Sequence, residues 1–303
     1  MRKILIGIDG GGSKTSLVAA DEVLNILESR TGGASNFLAI GIEIALSNLS
    51  ELIKPIIKKY PNSNKILVLG TAGGGRREDA QKLEDALTKL LDADNLSVNV
   101  VSDAEITLKG AFVNNPGAIL IAGTGSILYY KENDEIERVG GDGKIIGDEG
   151  SGYTIGRNAL GHLSKVFDGR ERATNLSRKM ISQFGIRTQK ELINNVYKND
   201  FDIAGAATTV IETASLGDEI SVNILEDAAD KLTDHIGALI KRKNLEELKI
   251  SFAGSLLTNG NIYKDMVERK IIEKYSAIEI VEPKHKPEVG ALLIAKTLIS
   301  KES

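Results

Sequence analysis

The order of strand-like and helix-like segments predicts an α/β protein in which one unit, β-β-β-α-β-α-β, is written twice. Three observations carry this prediction: each half opens on a strand that ends in a glycine-rich turn, strand and helix alternate after it in both halves, and 303 residues exceed what one compact core usually spans. A repeat of this length implies two similar lobes facing each other across a cleft, not a solenoid of short units.

The first half opens at Lys3-Ile-Leu-Ile-Gly-Ile-Asp9, an apolar run of strand length. The runs 15–21 and 23–27 are two more short β segments, which completes a meander. From Gly41 to Tyr60 the residues Ile44, Leu46, Leu49, Leu52, Ile53, Ile56 and Ile57 recur at helical spacing despite Pro55. Strand 65–70, helix 78–91, strand 96–102 and helix 104–112 follow.

The second half begins at strand 117–122, which ends in Gly123-Thr-Gly-Ser126, and continues with β runs at 127–131 and 135–139. An insertion over about 144–245 reads as mainly helical, after which come strand 248–253, helix 261–274, strand 277–281 and helix 287–299. Two parallels support duplication: Gly7-Ile-Asp-Gly-Gly-Gly-Ser13 with Ile121-Ala-Gly-Thr-Gly-Ser126, and Lys65-Ile-Leu-Val-Leu-Gly-Thr71 with Lys249-Ile-Ser-Phe-Ala-Gly-Ser255. The expected division is an N-terminal lobe over 1–114 and a larger C-terminal lobe over 115–286, with the closing helix, about 287–303, packing on the first lobe.

Composition narrows the function classes. Hydrophobic residues at 42% and charged residues at 26% describe an ordinary globular chain, not a disordered one. A formal charge of −4 without a basic stripe makes nucleic acid a poor partner. The absence of cysteine excludes disulfides, thiolate zinc sites and cysteine-held iron–sulfur clusters. No run approaches the ~18 apolar residues of a membrane span, and the chain opens on a strand without a signal-like segment, so the cytoplasm is the expected location. His162, His235 and His285 lack metal-ligand spacing and receive no role.

The chemistry concentrates in the glycine turns and the carboxylates near them. The segment from Gly7 to Thr15 resembles a Walker A loop but lacks lysine directly after the final glycine and is followed by a strand, not a helix. A glycine hairpin at Gly11 and Gly12 offers backbone N–H groups and the Ser13 and Thr15 hydroxyls to a phosphate, and Asp9 is placed to hold Mg²⁺ through water. A tight β-turn that needs glycine only for positive φ accounts for the same residues. The Gly123–Ser126 turn occupies the equivalent place in the second half, and two such hairpins suit a clamp on a polyphosphate. Asp103 ends a strand and starts a helix, at the edge where α/β folds keep their chemistry, although a plain helix cap would look the same. Asp142 and Asp148 lie in glycine-dense stretches too irregular for a helix interior, and Gly254-Ser255 permits close approach of a flat ligand.

Taken in order, Asp9-Gly-Gly-Gly-Ser-Lys-Thr15, Ser102-Asp-Ala104, Ala122-Gly-Thr-Gly-Ser126, Gly140-Gly-Asp-Gly143, Gly147-Asp-Glu-Gly-Ser151 and Ala253-Gly-Ser255 resemble the N-acetylglucosamine kinase branch of the BadF/BadG/BcrA/BcrD-type ATPases. The resemblance covers nearly the whole chain and implies the duplicated ribonuclease H-like (actin/hexokinase) fold, ATP and Mg²⁺ as cofactors, an amino sugar as substrate and a homodimer. It implies Asp103 as general base on the sugar 6-hydroxyl, with Ser13, Lys14 and Thr124 among the phosphate ligands and Gly123 and Gly125 beside them. Gly254 and Ser255 would lie against adenosine, while Asn36, Ser126, Gly141, Gly143 and Asp148 would meet the sugar. Asp142 stands where animal members carry Trp, and a carboxylate there is expected to favour polar or cationic sugars over acylated ones. A related branch activates dehydratases through a cysteine-held cluster, which a chain without cysteine cannot hold. A sugar-sensing repressor would be expected to carry a DNA-binding domain ahead of the first strand.

Overall fold

The computed structural model describes residues 2–133 and 135–301. Two compact units emerge, the first made of Met1–Pro116, Lys131–Ile136 and Glu282–Ser303, the second of Gly117–Tyr130 and Glu137–Val281.

In the first unit, β1 (Lys3–Gly10), β2 (Thr15–Asp21) and β3 (Ile26–Gly32) form the meander. The one-turn helix α1 (Phe37–Ile40), α2 (Ile42–Lys59), β4 (Asn64–Thr71), α3 (Arg77–Leu91), β5 (Leu96–Ser102) and α4 (Asp103–Phe112) follow. The sheet order is β3-β2-β1-β4-β5, antiparallel within the meander and parallel from β1 to β5. Alternate residues sort to the two faces as the period of two requires. Ile4, Ile6, Ile8, Leu67 and Leu69 meet Leu49, Ile53 and Ile56 of α2 and Leu83 and Leu87 of α3. Leu5, Ile66 and Val68 face the opposite side, against Ile106 of α4 and Ala291, Leu292 and Ala295 near the chain end.

The third strand starts later than its β-like run suggests. Asp21 Oδ1 accepts hydrogen bonds from the Val23 and Asn25 N–H groups at 3.1 and 2.9 Å, and Leu24 has φ +71°. That Asp-nucleated turn consumes residues 22–25, so pairing resumes only at Ile26.

The second unit holds β6 (Gly117–Ala122), β7 (Ser126–Glu132) and β8 (Glu135–Gly140). Helices α5 (Gly152–Phe167), α6 (Asn175–Phe184), α7 (Gln189–Lys198), α8 (Ala206–Ser215) and α9 (Glu219–Lys243) make up the insertion. Then come β9 (Leu248–Ala253), α10 (Ser255–Thr258), α11 (Ile262–Lys274) and β10 (Ile278–Ile280). The sheet order is β10-β9-β6-β7-β8, with β6, β9 and β10 parallel. Its core joins Leu120 and Ile250 to Ile155, Val210, Leu232 and Ile236.

The last helix, α12 (Pro287–Lys301), belongs to the first unit and lies against β1 and α4. Glycines allow the approach: a Cβ on Gly7 would stand 2.2 Å from the Glu288 carbonyl oxygen, and one on Gly290 would stand 1.9 Å from that of Ile106. Two backbones in such contact leave no room for any other residue.

Candidate active site

The candidate groups form one set in each unit. In the first, Gly10 pairs with Thr71 and Thr71 with Ser102, so β1, β4 and β5 end on one edge, and Asp9 and Asp103 rise from it. β4 lies between β1 and β5, which puts their backbones about 10 Å apart.

Asp103 is not the cap of its helix. Ser102 takes that place, its Oγ accepting from the Glu105 N–H at 3.1 Å, and Asp103 is the first helical residue. Burial pushes the Asp103 carboxyl above the usual carboxylate range, against the opposing effect of the Ala104 N–H donated to Oδ1 at 2.9 Å. Asp9 is pushed up to about 6, first by burial, then by the Glu288 and Asp103 charges, with Lys14 opposing. Glu288 reaches this edge because Gly7 lets the start of α12 sit on β1. No motif marks it in the sequence; only the packing of the chain end brings it in.

The first glycine turn is closed by its own backbone, Gly11 N–H donating to Lys14 O at 3.1 Å. Gly12, Ser13 and Lys14 are exposed, whereas Thr15 is fully buried, with Gly33 O at 2.6 Å and Ser35 Oγ at 2.7 Å from its hydroxyl. Gly11 O accepts from the Ser35 and Asn36 N–H groups, which draws the following loop to the turn. Asn36 caps α1 through Oδ1, accepting from Leu38 N–H at 3.1 Å, and its side-chain N–H groups have no partner among the described residues.

In the second unit, the turn after β6 is braced by α5. The Gly152 N–H donates to Gly123 O at 2.8 Å and the Tyr153 N–H to Thr124 O at 3.2 Å. Thr124 is exposed. Ser126 is buried, its Oγ donating to Glu149 O at 2.6 Å and its N–H to Asp148 Oδ1 at 3.4 Å. Asp148, at φ +58°, folds its carboxylate over Gly125, where a Cβ would stand 2.9 Å from Oδ2. Gly254, at φ +83°, rests on the end of β6, where a Cβ would lie 2.3 Å from Ala122 O, and the exposed Ser255 follows it beside Gly123. The structure thus gathers Gly123, Gly125, Ser126, Asp148, Gly254 and Ser255. Gly141 and Gly143 have positive φ, and the exposed Asp142 between them lies 3.2 Å from Arg138 in an ion pair.

Among the described residues no group of three or more His, Asp or Glu is close enough to hold a metal unaided. Mg²⁺ commonly takes one or two carboxylates and completes its shell with water and substrate phosphates. Asp9, half-buried, without an ion-pair partner among the described residues and carrying a raised pKa, fits such a ligand. No described helix is long and apolar enough to cross a membrane.

Comparison with known proteins identifies the wider group. The profile of the BadF/BadG/BcrA/BcrD ATPase family matches residues 6–295. The chain is 32% identical over 313 positions to the N-acetyl-D-glucosamine kinase of Dictyostelium discoideum, covering 97% of this chain and 98% of that one. It is 33% identical over 304 positions to the N-acetylmuramic acid/N-acetylglucosamine kinase of Clostridium acetobutylicum, covering 97% and 99%. Among solved structures, a candidate N-acetylglucosamine kinase from Chromobacterium violaceum superposes with a TM-score of 0.79 at 25% identity, over 96% of this chain and 98% of that one.

Proposed function

The chain belongs to the BadF/BadG/BcrA/BcrD ATPase family, and on that premise we propose that it is a kinase that moves the γ-phosphoryl group of ATP to the 6-hydroxyl of N-acetylglucosamine. Two relatives at 32% and 33% identity carry that sugar in their names, along almost their full lengths. The observation that carries the reading is Asp103: a carboxylate at the C-terminal edge of a parallel strand, relieved of capping by Ser102 and made more basic by burial.

Asp103 takes the proton of the sugar hydroxyl as its oxygen attacks the γ-phosphorus and ADP leaves. Asn36 and Asp148 orient the sugar hydroxyls, the first through amide N–H groups that have no partner among the described residues. Gly11, Gly12, Ser13 and Lys14 of the first turn and Gly123, Thr124 and Gly125 of the second meet the phosphates, and Gly254 and Ser255 the adenosine. Thr15 and Ser126, both buried and hydrogen-bonded, serve by holding these turns in shape. Asp9 would hold Mg²⁺ through water, and the bound ion would neutralise phosphate charge. Family likeness further leads us to place the enzyme in the cytoplasm as a homodimer, which light scattering on the purified protein tests.

A coupled ADP-release assay over a panel of sugars with Mg²⁺ and ATP tests the activity, with phosphorus NMR of the product fixing the position. Sugar-dependent ADP release is expected with N-acetylglucosamine, and glucosamine belongs in the panel because Asp142 is expected to favour a cationic sugar. ADP release no higher than the ATP-only background with every hexose and hexosamine would sink the proposal. N-acetylmuramic acid belongs in the panel because it stands in the name of the Clostridium acetobutylicum relative.

A further inference from the structure

We infer that His235, which carries no role in the chemistry above, is the positioning residue of the loop that bears Asp148, and that His235 and Glu149 form a latch tightened by protonation. This rests on the reading of Asp148 as a sugar ligand. The loop from Gly140 to Ser151 is fastened to α9 and α11 at three points. At Gly140 the backbone passes directly over the imidazole, since a Cβ there would lie 2.2 Å from Nε2. At Gly150 the carbonyl accepts from the buried Tyr263 hydroxyl at 2.6 Å. Between them, Glu149 Oε2 stands 3.7 Å from His235 Nε2, the ring side chain 6% exposed and the carboxylate 44%.

The ring's tautomer follows from its other nitrogen. Nδ1 lies 3.0 Å from Leu232 O and 3.2 Å from Lys231 O, and because a carbonyl only accepts, Nδ1 carries the hydrogen. The neutral ring therefore leaves Nε2 without a hydrogen, 3.7 Å from a carboxylate oxygen and too far for a hydrogen bond. A proton on Nε2 turns that contact into an ion pair.

Of the other charged groups nearby, Arg157 of α5 lines the same cavity as Glu149, and those on α9 and β8 are engaged elsewhere. On α9, Lys231 pairs with Asp227 at 2.6 Å and Asp234 with Lys274 of α11 at 3.8 Å. On β8, Arg138 pairs with Asp142 and Glu137 with Arg242, each at 3.2 Å. Glu149 is thus the ionisable partner of the free nitrogen. Its backbone carbonyl accepts from Ser126 Oγ at 2.6 Å, and its chain neighbour Asp148 lies over Gly125, so a displaced Glu149 displaces the sugar-binding carboxylate with it.

The test is a pH series of sugar and ATP KM values for wild type, Glu149→Gln and His235→Gln. In wild type at saturating ATP, the sugar KM is expected to rise about two- to fivefold from the acid to the alkaline end of the series, the size of a half-exposed ion pair. Glu149→Gln should flatten that rise. His235→Gln, which keeps an N–H at the Nε2 position at every pH, should hold the sugar KM near its low-pH value, and the ATP KM should follow one profile in all three proteins. A wild-type slope in Glu149→Gln, or sugar and ATP KM values that shift together, overturns the latch. If no sugar is turned over, the kinase reading fails instead, and hydrogen exchange decides the latch without substrate. Residues 140–151 should then lose protection at high pH, after correction for intrinsic rates, in wild type but not in Glu149→Gln; equal loss in both overturns it.

Discussion

Replacing Asp9 with Asn should make the free protein more stable at neutral pH while crippling it as an enzyme. The Asp9 carboxyl is held at about 6 in the fold, against about 3.9 in an unfolded chain. A raised carboxylate pKa means that the native state holds more protons than the unfolded state between these two values. Stability therefore falls as pH rises from about 4 to about 6, and the deficit is constant above that. At 1.36 kcal/mol per pH unit the ceiling is about 3 kcal/mol, and solvent reaching a partly exposed carboxylate brings the expected gain to about 1–3 kcal/mol. Urea unfolding of wild type and Asp9→Asn, in steps from about pH 4 to about pH 7.5, reads it directly. The two curves should nearly coincide at the acid end and separate toward neutrality. Glu288→Gln should recover a smaller part, since burial is the larger cause and the Glu288 charge the second. Parallel pH profiles, or an Asp9→Asn protein less stable than wild type at neutral pH, would refute the account of this site as electrostatically strained.

Asp103→Asn should lower kcat about 10²- to 10⁴-fold without lowering Tm, since burial pushes this carboxyl up as well, whereas Ser102→Ala should lower stability by about 1 kcal/mol through loss of the cap. Retention of more than about a tenth of wild-type kcat by Asp103→Asn would end its assignment as the base. Asp142→Trp should raise the ratio of kcat/KM for N-acetylglucosamine to that for glucosamine, since it replaces an exposed ion-paired carboxylate with an aromatic face; an unchanged or lower ratio counts against it. Gly290→Ala should destabilise by about 1–3 kcal/mol, measured by denaturant unfolding, because the new methyl meets the Ile106 carbonyl; a neutral result would contradict the close packing of α4 and α12.

The sequence carried the fold because its signals are local and periodic. Alternation along Ile4–Ile8 and Ile66–Leu69 serves two different cores, and the glycines at 123 and 125 announce a turn wherever they fall. The Asp21 turn was hidden because Val23 and Leu27 are good strand residues, and only a carboxylate accepting two N–H groups overrides them. Asp103 was visible as a carboxylate at a strand end, but its freedom from capping depends on Ser102, one residue earlier and equally suited to the cap. Glu288 and His235 were invisible for a different reason. Each matters through a glycine that lets backbone lie directly on it or beside it, Gly7 in one case and Gly140 in the other, and no sequence spacing encodes such a contact.

The placement of α12 sets the order in which the chain can finish folding during synthesis. The first unit has its sheet complete once β5 is made, yet on one face Leu5, Val18, Ile66 and Val68 have only Ile106 of α4 against them until Ala291, Leu292 and Ala295 arrive. The second unit contains almost nothing from beyond Val281, so it can close while the first still waits on the ribosome. The part that emerges first is the last to be sealed, and a stop codon near residue 282 would damage the N-terminal unit more than the C-terminal one. Through Gly7, the same late helix delivers Glu288 to the edge where Asp9 stands, so the N-terminal half of the proposed site acquires its final electrostatics only after both sheets have been made.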